Sequence, residues 1–512
     1  MKKLICFILS LTIILSLASP AFAANECKCE ILPVVYVPGF GAGIHLNPES
    51  DDYETLFPPQ QEAIDAALPD IIKAVICGLI FRQYDKFGTY AIKAASALLG
   101  GIACNPDGTS PENIGVRLSD PTYYDTHQNT KYEFSTVDDV ENPGEYYFGY
   151  DWRLDPIENA KKLKIFIDKV KAVTGHNEIV LSSHSQGNTV VTSYLHLYGN
   201  EGIAKLVLLS PAYQGLSLVG ALLTRKATVE NKGDEVVEFI KGIMDYSDPT
   251  NQLIIALVSS LNKVGILNCL LGRLQDILDS QLDRVFDEFL IDCMGTMPGV
   301  WSFVPAHQYE EAKVKTFRGL EKYAELERKT DFYHYNIKTK TTEILDTAKA
   351  NGTAIIITAG YDISNIPVTC ESATHSDFLI DTKNMSIGAT CSPISDTLGK
   401  DYKQIKTECG HNHVSADNKI DASTCCYPEY TWFIKGNPHN EFNEAYRDFI
   451  TWAILFKGQP DVHSSEKYPQ FISVKGNELK IVDSPDQAET RSNFRIIFES
   501  LFYLIKDSIT NK

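Results

Sequence analysis

Apolar residues along this chain follow two patterns, short continuous runs and positions spaced three or four residues apart. The continuous runs are rich in β-branched residues and predict buried strands, which begin near Val34, Ile179, Ile203, Ala354 and Thr431. The spaced positions, as between Leu163 and Val173, predict amphipathic helices. Buried strands that alternate with helices favour a mostly parallel central sheet flanked by helices, so we predict an α/β fold.

One of these runs leads directly into a chemical motif. Ser183-His184-Ser185-Gln186-Gly187 follows the strand that begins at Ile179, and a helical pattern starts immediately after it. Strand, small-X-Ser-X-Gly and helix in this order predict a nucleophile elbow, whose tight turn exposes Ser185 Oγ. Gly187 is needed because the helix passes close to the strand, whereas Ser183 departs from the usual first glycine. The amide of Gln186 then points toward the oxygen of a bound acyl group.

A glycine-rich loop follows the first strand and supplies a candidate second donor. The segment is Pro38-Gly39-Phe40-Gly41-Ala42-Gly43. In an acyl hydrolase this loop contributes the other oxyanion-hole amide, and here we assign it to Phe40. An ordinary turn between a strand and a loop is the alternative interpretation of the same residues.

Two further segments make the pattern specific. They are Tyr150-Asp151-Trp152-Arg153-Leu154-Asp155-Pro156 and Leu209-Ser210-Pro211-Ala212-Tyr213-Gln214-Gly215. With the VPGFG loop and the serine elbow, in this order, the chain resembles the lecithin:cholesterol acyltransferase family of α/β-hydrolases, which includes lysosomal phospholipases. YDWRL is the most specific motif, and the resemblance extends over roughly residues 33–216. It implies an α/β-hydrolase fold with a Ser/His/Asp triad and esters of lipids as substrates. The helical patterns of residues 216–350 predict an inserted cap over Ser185, with plain packing against the core as the alternative.

A histidine after the last predicted core strand is the candidate general base. The strand Thr431–Gly436 is followed by Asn437-Pro438-His439 and then by an amphipathic helix. The α/β-hydrolase fold places its base in the loop between the final strand and the final helix, so we assign His439. Of the competing histidines, His184 should be turned away from the site by the elbow. His411 and His413 lie in a cysteine-rich loop, as surface or metal-binding residues.

Three aspartates are candidates for the residue that orients His439. Asp362 directly follows a predicted strand, which is the position of the acid in the simplest α/β-hydrolases. Asp377 and Asp417 each begin a segment that resembles the Asp-Gly-X-Val acid loop of lipid acyltransferases and bacterial lipases, with the glycine replaced by Phe378 or Asn418. We predict Asp417, because it lies closest along the chain to the last core strand. Asp377 and Asp362 remain alternatives.

The N-terminus predicts export. Lys2 and Lys3 precede an apolar run that ends at Leu17, and Ala21-Phe22-Ala23 has the form of a signal peptidase site. The run is too short to span a membrane, so we expect cleavage after Ala23 and secretion. The expected organisation is a signal peptide (1–23), the first half of the core (24–215, with a helical insertion at about 58–104), a helical cap (216–350), the second half of the core (351–460), and a hairpin with a closing helix (461–512).

Composition limits the classes of molecule that this protein is expected to bind. The formal net charge of −19 argues against nucleic acid, and 44% hydrophobic residues in 512 allow a large core. Most of the twelve cysteines should pair in an oxidising compartment, and sequence proximity suggests Cys77 with Cys104, Cys269 with Cys293, Cys370 with Cys391, and Cys409 with Cys425 or Cys426. Cys27-Lys28-Cys29 and Cys425-Cys426 lack CxxC spacing, so we predict no metal and no cofactor.

The combined prediction is a secreted serine hydrolase or O-acyltransferase that acts on lipid esters. Ser185 attacks, His439 takes its proton, Asp417 orients the imidazole, and the amides of Phe40 and Gln186 hold the oxyanion. The expected partners are a lipid or other ester substrate and transient contact with a lipid interface, with the protein a monomer. Two alternatives stay open: a carbohydrate-ester hydrolase or peptidase on the same fold, and a secreted binding protein that has lost catalysis.

Overall fold

The computed structural model describes residues 30–117, 145–229, 232–244, 248–369, 373–475 and 478–484. The predicted signal peptide, the cysteines Cys27, Cys29 and Cys370, and the predicted closing helix near Phe494 lie outside these residues. The strands, in chain order, are β1 (Val34–Val37), β2 (Ile44–Leu46), β3 (Glu54–Phe57), β4 (Ile114–Gly115), β5 (Glu145–Tyr147), β6 (Ile179–His184), β7 (Ile203–Leu209), β8 (Ala354–Tyr361), β9 (Ile363–Ser364), β10 (His375–Ser376), β11 (Thr390–Cys391), β12 (Ile420–Asp421), β13 (Thr431–Lys435), β14 (Phe471–Lys475) and β15 (Glu478–Ile481).

Eight of these strands form one sheet in the order β15-β14-β13-β8-β7-β6-β1-β5. All neighbours pair in parallel except β14 and β15, which are antiparallel. Successive residues of β1 face opposite sides, since Val34 joins one apolar cluster and Val35 joins the other. Both faces of the sheet are therefore covered, as the continuous apolar runs predict, and the α/β-hydrolase type of fold is confirmed.

The helices flank this sheet and fill the insertions. In chain order they are α1 (Gln61–Val75), α2 (Tyr84–Leu99), α3 (Pro156–Thr174), α4 (Gly187–Tyr198), α5 (Ser217–Leu223), α6 (Gly233–Ile243), α7 (Pro249–Lys263), α8 (Ile266–Val285), α9 (Ile291–Cys293), α10 (Pro298–Trp301), α11 (Tyr309–Phe317), α12 (Ala324–Asn336), α13 (Thr341–Ala350), α14 (Thr382–Met385) and α15 (Glu444–Leu455). Among the described helices, none is by itself long and apolar enough to cross a membrane. By length and composition alone, the helix pair Asn251–Lys263 and Ile266–Cys293 meets the criterion for crossing a membrane when the two are taken together. The pair is bent by 81°.

The two helical insertions, far apart in sequence, pack against each other. Tyr84 of α2 donates to Asp276 of α8 at 3.0 Å, and Arg284 of α8 donates to the Asp85 carbonyl at 3.0 Å. The first insertion is tied to the core by Arg153, which donates to the Ile102 carbonyl at 2.9 Å. Residues on both sides of the YDWRL segment therefore contribute to one helical layer.

The carboxyl-terminal part of the sheet extends further than the apolar runs predicted. Thr431–Lys435 was expected to be the last core strand, but β14 adds to it in parallel and carries β15 as an antiparallel edge. The hairpin residues therefore belong to the main sheet. A parallel partner extends the hydrogen-bond ladder of β13, so this strand is covered on both edges.

The predicted disulfide pairs do not form among the described cysteines. Cys77, Cys104, Cys269, Cys293, Cys391, Cys409, Cys425 and Cys426 are all free thiols. Cys104 and Cys293 are buried, and burial raises the pKa of the Cys104 thiol to about 12 and that of the Cys293 thiol to about 11. Closeness along the chain is not sufficient for pairing, because a disulfide also requires Cα atoms within about 7 Å and side chains that point toward each other.

Candidate active site

The serine elbow forms at the carboxyl end of β6. Ser185 lies between β6 and α4 with a φ of 53°, the left-handed conformation that a nucleophile elbow requires. A Cβ on Gly187 would lie 2.2 Å from the Val37 carbonyl oxygen, so this position accepts only glycine. Ser183 fits in place of the usual glycine because its hydroxyl donates to Asn188 Oδ1 at 2.8 Å. The departure from the motif therefore leaves no buried hydroxyl unsatisfied.

The His439 side chain lies between Ser185 and Asp377 and is within hydrogen-bonding distance of both. His439 Nε2 is 2.9 Å from Ser185 Oγ, and His439 Nδ1 is 2.7 Å from Asp377 Oδ2. A carboxylate only accepts, so Nδ1 carries the proton and the lone pair of Nε2 faces the serine hydroxyl. All three side chains are buried. This arrangement has the geometry that lets a histidine act as general base toward serine.

The surrounding backbone holds the acid in place. The other oxygen of Asp377 accepts from the amides of Leu379 at 3.1 Å and Ile380 at 2.8 Å. The amide of His439 in turn donates to the Asp377 carbonyl at 3.0 Å. Backbone donors to a carboxylate oxygen fix its direction. Asp377 is therefore held rigidly beside the imidazole.

The prediction of Asp417 as the acid is wrong. Its carboxylate lies 2.8 Å from Lys435 Nζ and accepts from the Tyr361 hydroxyl at 3.3 Å. Asp362 also turns away from His439, because it pairs with Lys419 and lies 3.5 Å from Lys435. Proximity to β13 along the chain placed Asp417 beside the lysine that ends the strand, and not beside the histidine in the following loop.

The YDWRL segment positions the predicted oxyanion loop. The Tyr150 hydroxyl donates to the Pro38 carbonyl at 2.9 Å, and Trp152 Nε1 donates to the Ala42 carbonyl at 2.9 Å. The Phe40 ring packs on the Trp152 ring with centroids 4.0 Å apart. Behind them, Asp151 and Arg153 form a fully buried ion pair at 2.6 Å. The aromatic residues of this motif therefore hold the loop, and its charged residues anchor the motif itself.

The second predicted oxyanion donor is anchored through its side chain. Gln186 Nε2 donates to the Trp152 carbonyl at 2.7 Å and to the Gly299 carbonyl at 3.3 Å, which lies in α10. Within the described residues, the backbone amides of Phe40 and Gln186 have no hydrogen-bond acceptor. An oxyanion hole requires two donors without other acceptors, and the assignment of Phe40 and Gln186 to it stays a prediction.

A cavity of about 890 Å³ opens beside Ser185 and His439. Its wall is largely apolar, and six of the residues come from the helical insertion: Leu216, Leu218, Val219, Met294, Val300 and Phe303. This volume lies in the range of small-molecule pockets. The insertion therefore forms an apolar chamber over the nucleophile.

His184 was missed by the sequence reasoning, which turned it away from the site. Its ring lies 4.7 Å from the His439 ring, and its Nε2 donates to the His439 carbonyl at 3.0 Å. Burial, and then the charge of His439, hold the pKa of His184 well below its usual range. His184 is therefore a neutral positioning residue that adds no positive charge beside the base. Its place directly before the nucleophile was the available signal.

Comparisons with known proteins agree with the motifs in part of the chain. The family model described as lecithin:cholesterol acyltransferase matches residues 145–234. No curated protein matches. A solved structure titled "The crystal structure of Tle4-Tli4 complex" matches 94% of this chain and 99% of that chain at 11% identity, with a TM-score of 0.29. The matched segment contains the YDWRL motif, the serine elbow and the end of β7, so the resemblance is confirmed there. Residues 145–234 are therefore similar to the lecithin:cholesterol acyltransferase family.

Proposed function

We propose that this protein is a serine hydrolase or O-acyltransferase that acts on carboxylic esters of lipids. The observation that carries the proposal is the chain of hydrogen bonds from Asp377 through His439 to Ser185. The match to an acyltransferase family model over residues 145–234 supports the reaction class. The apolar chamber next to Ser185 supports a hydrocarbon substrate.

The proposed reaction begins with Ser185 Oγ, which attacks the ester carbonyl while His439 Nε2 takes its proton. The carbonyl oxygen becomes negative and is held by the amides of Phe40 and Gln186. The proton on His439 then passes to the leaving alcohol, and an acyl-serine remains. Water or an acceptor alcohol, deprotonated by the same histidine, attacks the acyl-serine and releases Ser185. Asp377 stabilises the imidazolium in both halves.

The chamber leads to a preference for long acyl chains. Each buried CH₂ contributes up to about 0.8 kcal/mol, so kcat/KM should rise with chain length until the chamber is filled. Val219, which lines the chamber, offers a test: Val219→Phe should shift the preferred ester toward shorter chains. A flat chain-length profile in the wild type would contradict a lipid substrate and favour the carbohydrate-ester hydrolase, for which short polar esters are the better substrates.

Exposed apolar residues on α1 support contact with a lipid surface. They include Ile64, Leu68, Ile72 and Val75, each more than 40% exposed among the described residues. Their spacing places them along one side of the helix. In the double variant that combines Leu68→Glu and Ile72→Glu, turnover of an emulsified ester should fall. Turnover of a soluble monomeric ester should be retained. Equal loss on both substrates would contradict interfacial contact.

The decisive experiment is labelling of the full chain with a fluorophosphonate. Wild type should be labelled, and Ser185→Ala should lose both the label and roughly 10³-fold or more of ester turnover. Ser193→Ala is the matched control, because its hydroxyl bonds within α4 to the Thr189 carbonyl. No labelling of a folded wild type would favour the non-catalytic binding protein, and cleavage of amides over esters would favour a peptidase.

The acceptor and the compartment are part of the proposal. Formation of an ester of an added long-chain alcohol would identify transferase activity. Formation of free acid alone would identify a hydrolase. We propose an extracellular location on the basis of the N-terminal pattern that ends at Ala23, and we also propose that the protein is a monomer. Amino-terminal sequencing of protein from culture medium tests the first part, and sedimentation tests the second.

A further inference from the structure

We propose a zinc site formed by Cys409, His411, His413 and Glu429, remote in sequence from the serine elbow. One possible ligand atom from each side chain lies within 4.8 Å of every other, in the part of the chain that the structure describes. Thiolate, imidazole and carboxylate are the groups that Zn²⁺ prefers. The sequence predicted no metal, because Cys27-Lys28-Cys29 and Cys425-Cys426 lack CxxC spacing, and it left His411 and His413 as surface or metal-binding residues.

The first observation is the convergence of imidazoles on one carboxylate. His411 Nδ1 is 2.9 Å and His413 Nε2 is 3.2 Å from the same oxygen of Glu429. His463 Nε2 is 3.2 Å from the other oxygen. Nitrogen atoms of three rings therefore face a single side chain. Ring nitrogens can lie this close to carboxylate oxygens only if the nitrogens carry protons or if a cation lies between the rings and the carboxylate.

The second observation is the fixed direction of His413, whose side chain is fully buried. The amide nitrogen of Gln470 donates to the carbonyls of Pro428 at 2.6 Å and Thr431 at 3.2 Å, so its oxygen points the other way. That oxygen lies 2.7 Å from His413 Nδ1 and accepts its proton. In the neutral ring the Nε2 lone pair then faces Glu429. A metal-binding histidine is commonly oriented by such an outer hydrogen bond.

The third observation is the supply of a fourth ligand by Cys409. Its thiol is free and exposed, two residues before His411. Zinc bonds of about 2.0–2.3 Å in a tetrahedron separate the ligand atoms by roughly 3.3–3.7 Å, and the four atoms here all lie within 4.8 Å of one another. Four protein ligands close the coordination sphere, so the ion has a structural role and no open position for substrate.

The consequence is a clamp between three chain segments. The ion would join the 409–413 loop to the turn before β13, and Gln470 extends the contact to the start of β14. β13 leads to the loop that carries His439. Zinc binding should therefore raise thermal stability without taking part in ester chemistry.

The test uses the full chain after treatment with EDTA and dialysis, with Zn²⁺ or Co²⁺ alone as the probe. The wild type should bind one equivalent of zinc, its Tm should rise by a few degrees, and Co²⁺ should give tetrahedral d–d bands with a sulfur charge-transfer band. In Cys409→Ser the charge-transfer band should disappear, and zinc affinity should fall by at least the roughly 10–100-fold that loss of an outer hydrogen bond costs, because a direct ligand is removed. Cys269→Ser, also at an exposed free cysteine, is the matched control and should bind as wild type does.

Three histidine variants locate the ligands. His411→Gln should lose affinity by a similar factor, whereas His196→Gln, an exposed histidine of α4, should not. His463→Gln should retain one equivalent, and loss of binding in this variant would overturn the proposed ligand set. The proposal also fails if the wild type binds no stoichiometric zinc, or if Cys409→Ser binds with unchanged affinity. Labelling at Ser185 in the same samples reports the active site separately, so failure of one proposal leaves the other intact.

Discussion

The loops that carry Asp377 and Asp417 share a local structure and differ in what they face. Each aspartate is buried and is followed by a non-glycine residue with positive φ, 75° for Phe378 and 57° for Asn418. The first carboxylate contacts His439 and the second contacts Lys435. Two copies of one turn therefore flank the end of β13, one beside the base and the other beside a cation.

The partner of a buried carboxylate, and not the turn that carries it, decides its role. Lys435 is the last residue of β13, and His439 lies in the loop that follows. A lysine beside Asp417 balances the charge of that carboxylate in the core, and the contacts of its side chain are to Lys435 and Tyr361, not to His439. The backbone amides around Asp377 satisfy one oxygen and leave the other for His439.

The largest expected effect is on turnover. Asp377→Asn should lower kcat by roughly 10⁴-fold, because an amide in place of the acceptor favours the wrong tautomer of His439. Asp417→Asn, the same change in the companion loop, should keep most of its activity. Steady-state kinetics on one ester, with melts to verify folding, compare the two. An inactive, folded Asp417→Asn beside an active Asp377→Asn would reverse the assignment.

The second largest expected effect is a loss of stability when the Asp417 loop is changed. Asp417→Asn removes the closest partner of a buried Lys435, which keeps Asp362 at 3.5 Å. We expect the free energy of unfolding to drop by about 2 kcal/mol, below the usual cost of a fully broken buried pair because one carboxylate remains. Asp401→Asn, at an exposed position, should stay within about 0.5 kcal/mol. Urea titration measures both variants, and equal stability would contradict the ion pair.

A smaller effect should follow from crowding the Asp377 loop. A Cβ on Gly360, at the end of β8, would lie 2.7 Å from Asp377 Cβ. Gly360→Ala should therefore displace the acid and lower kcat about tenfold with little change in KM, since positioning errors act on the chemical step. Gly272→Ala, where the added methyl meets no atom within 4 Å, is the control. Unchanged kcat in a folded Gly360→Ala would show that the loop tolerates the displacement.

The smallest effect concerns the residue after each aspartate. Left-handed φ costs a phenylalanine more than an asparagine, which forms local hydrogen bonds in that conformation. Phe378→Gly should raise the free energy of unfolding by at most about 1 kcal/mol, and Asn418→Gly should change it less. Denaturant midpoints of the two variants test this order. A larger gain at Asn418 would mean that its loop carries the greater strain.

Much of the fold could be predicted because its signals are local. The apolar runs near Val34, Ile179, Ile203, Ala354 and Thr431 all lie in strands of the main sheet. The nucleophile followed from a turn whose residues are consecutive, and His439 from its place after a strand. The place of β14 and the failure of the expected disulfide pairs could not be predicted in this way, since pairing partners are chosen by packing.

The sequence by itself determined the parallel core, the serine elbow and the loop that offers a histidine, because each depends on residues close together in the chain. Only the tertiary structure decided which aspartate contacts His439, since both loops have the same turn and both lie near the end of β13. It also decided that His184 contacts the base and that His411, His413 and Glu429 converge. Those contacts join residues from different elements, and burial selects among them by satisfying each charge or hydrogen bond where a partner lies within reach.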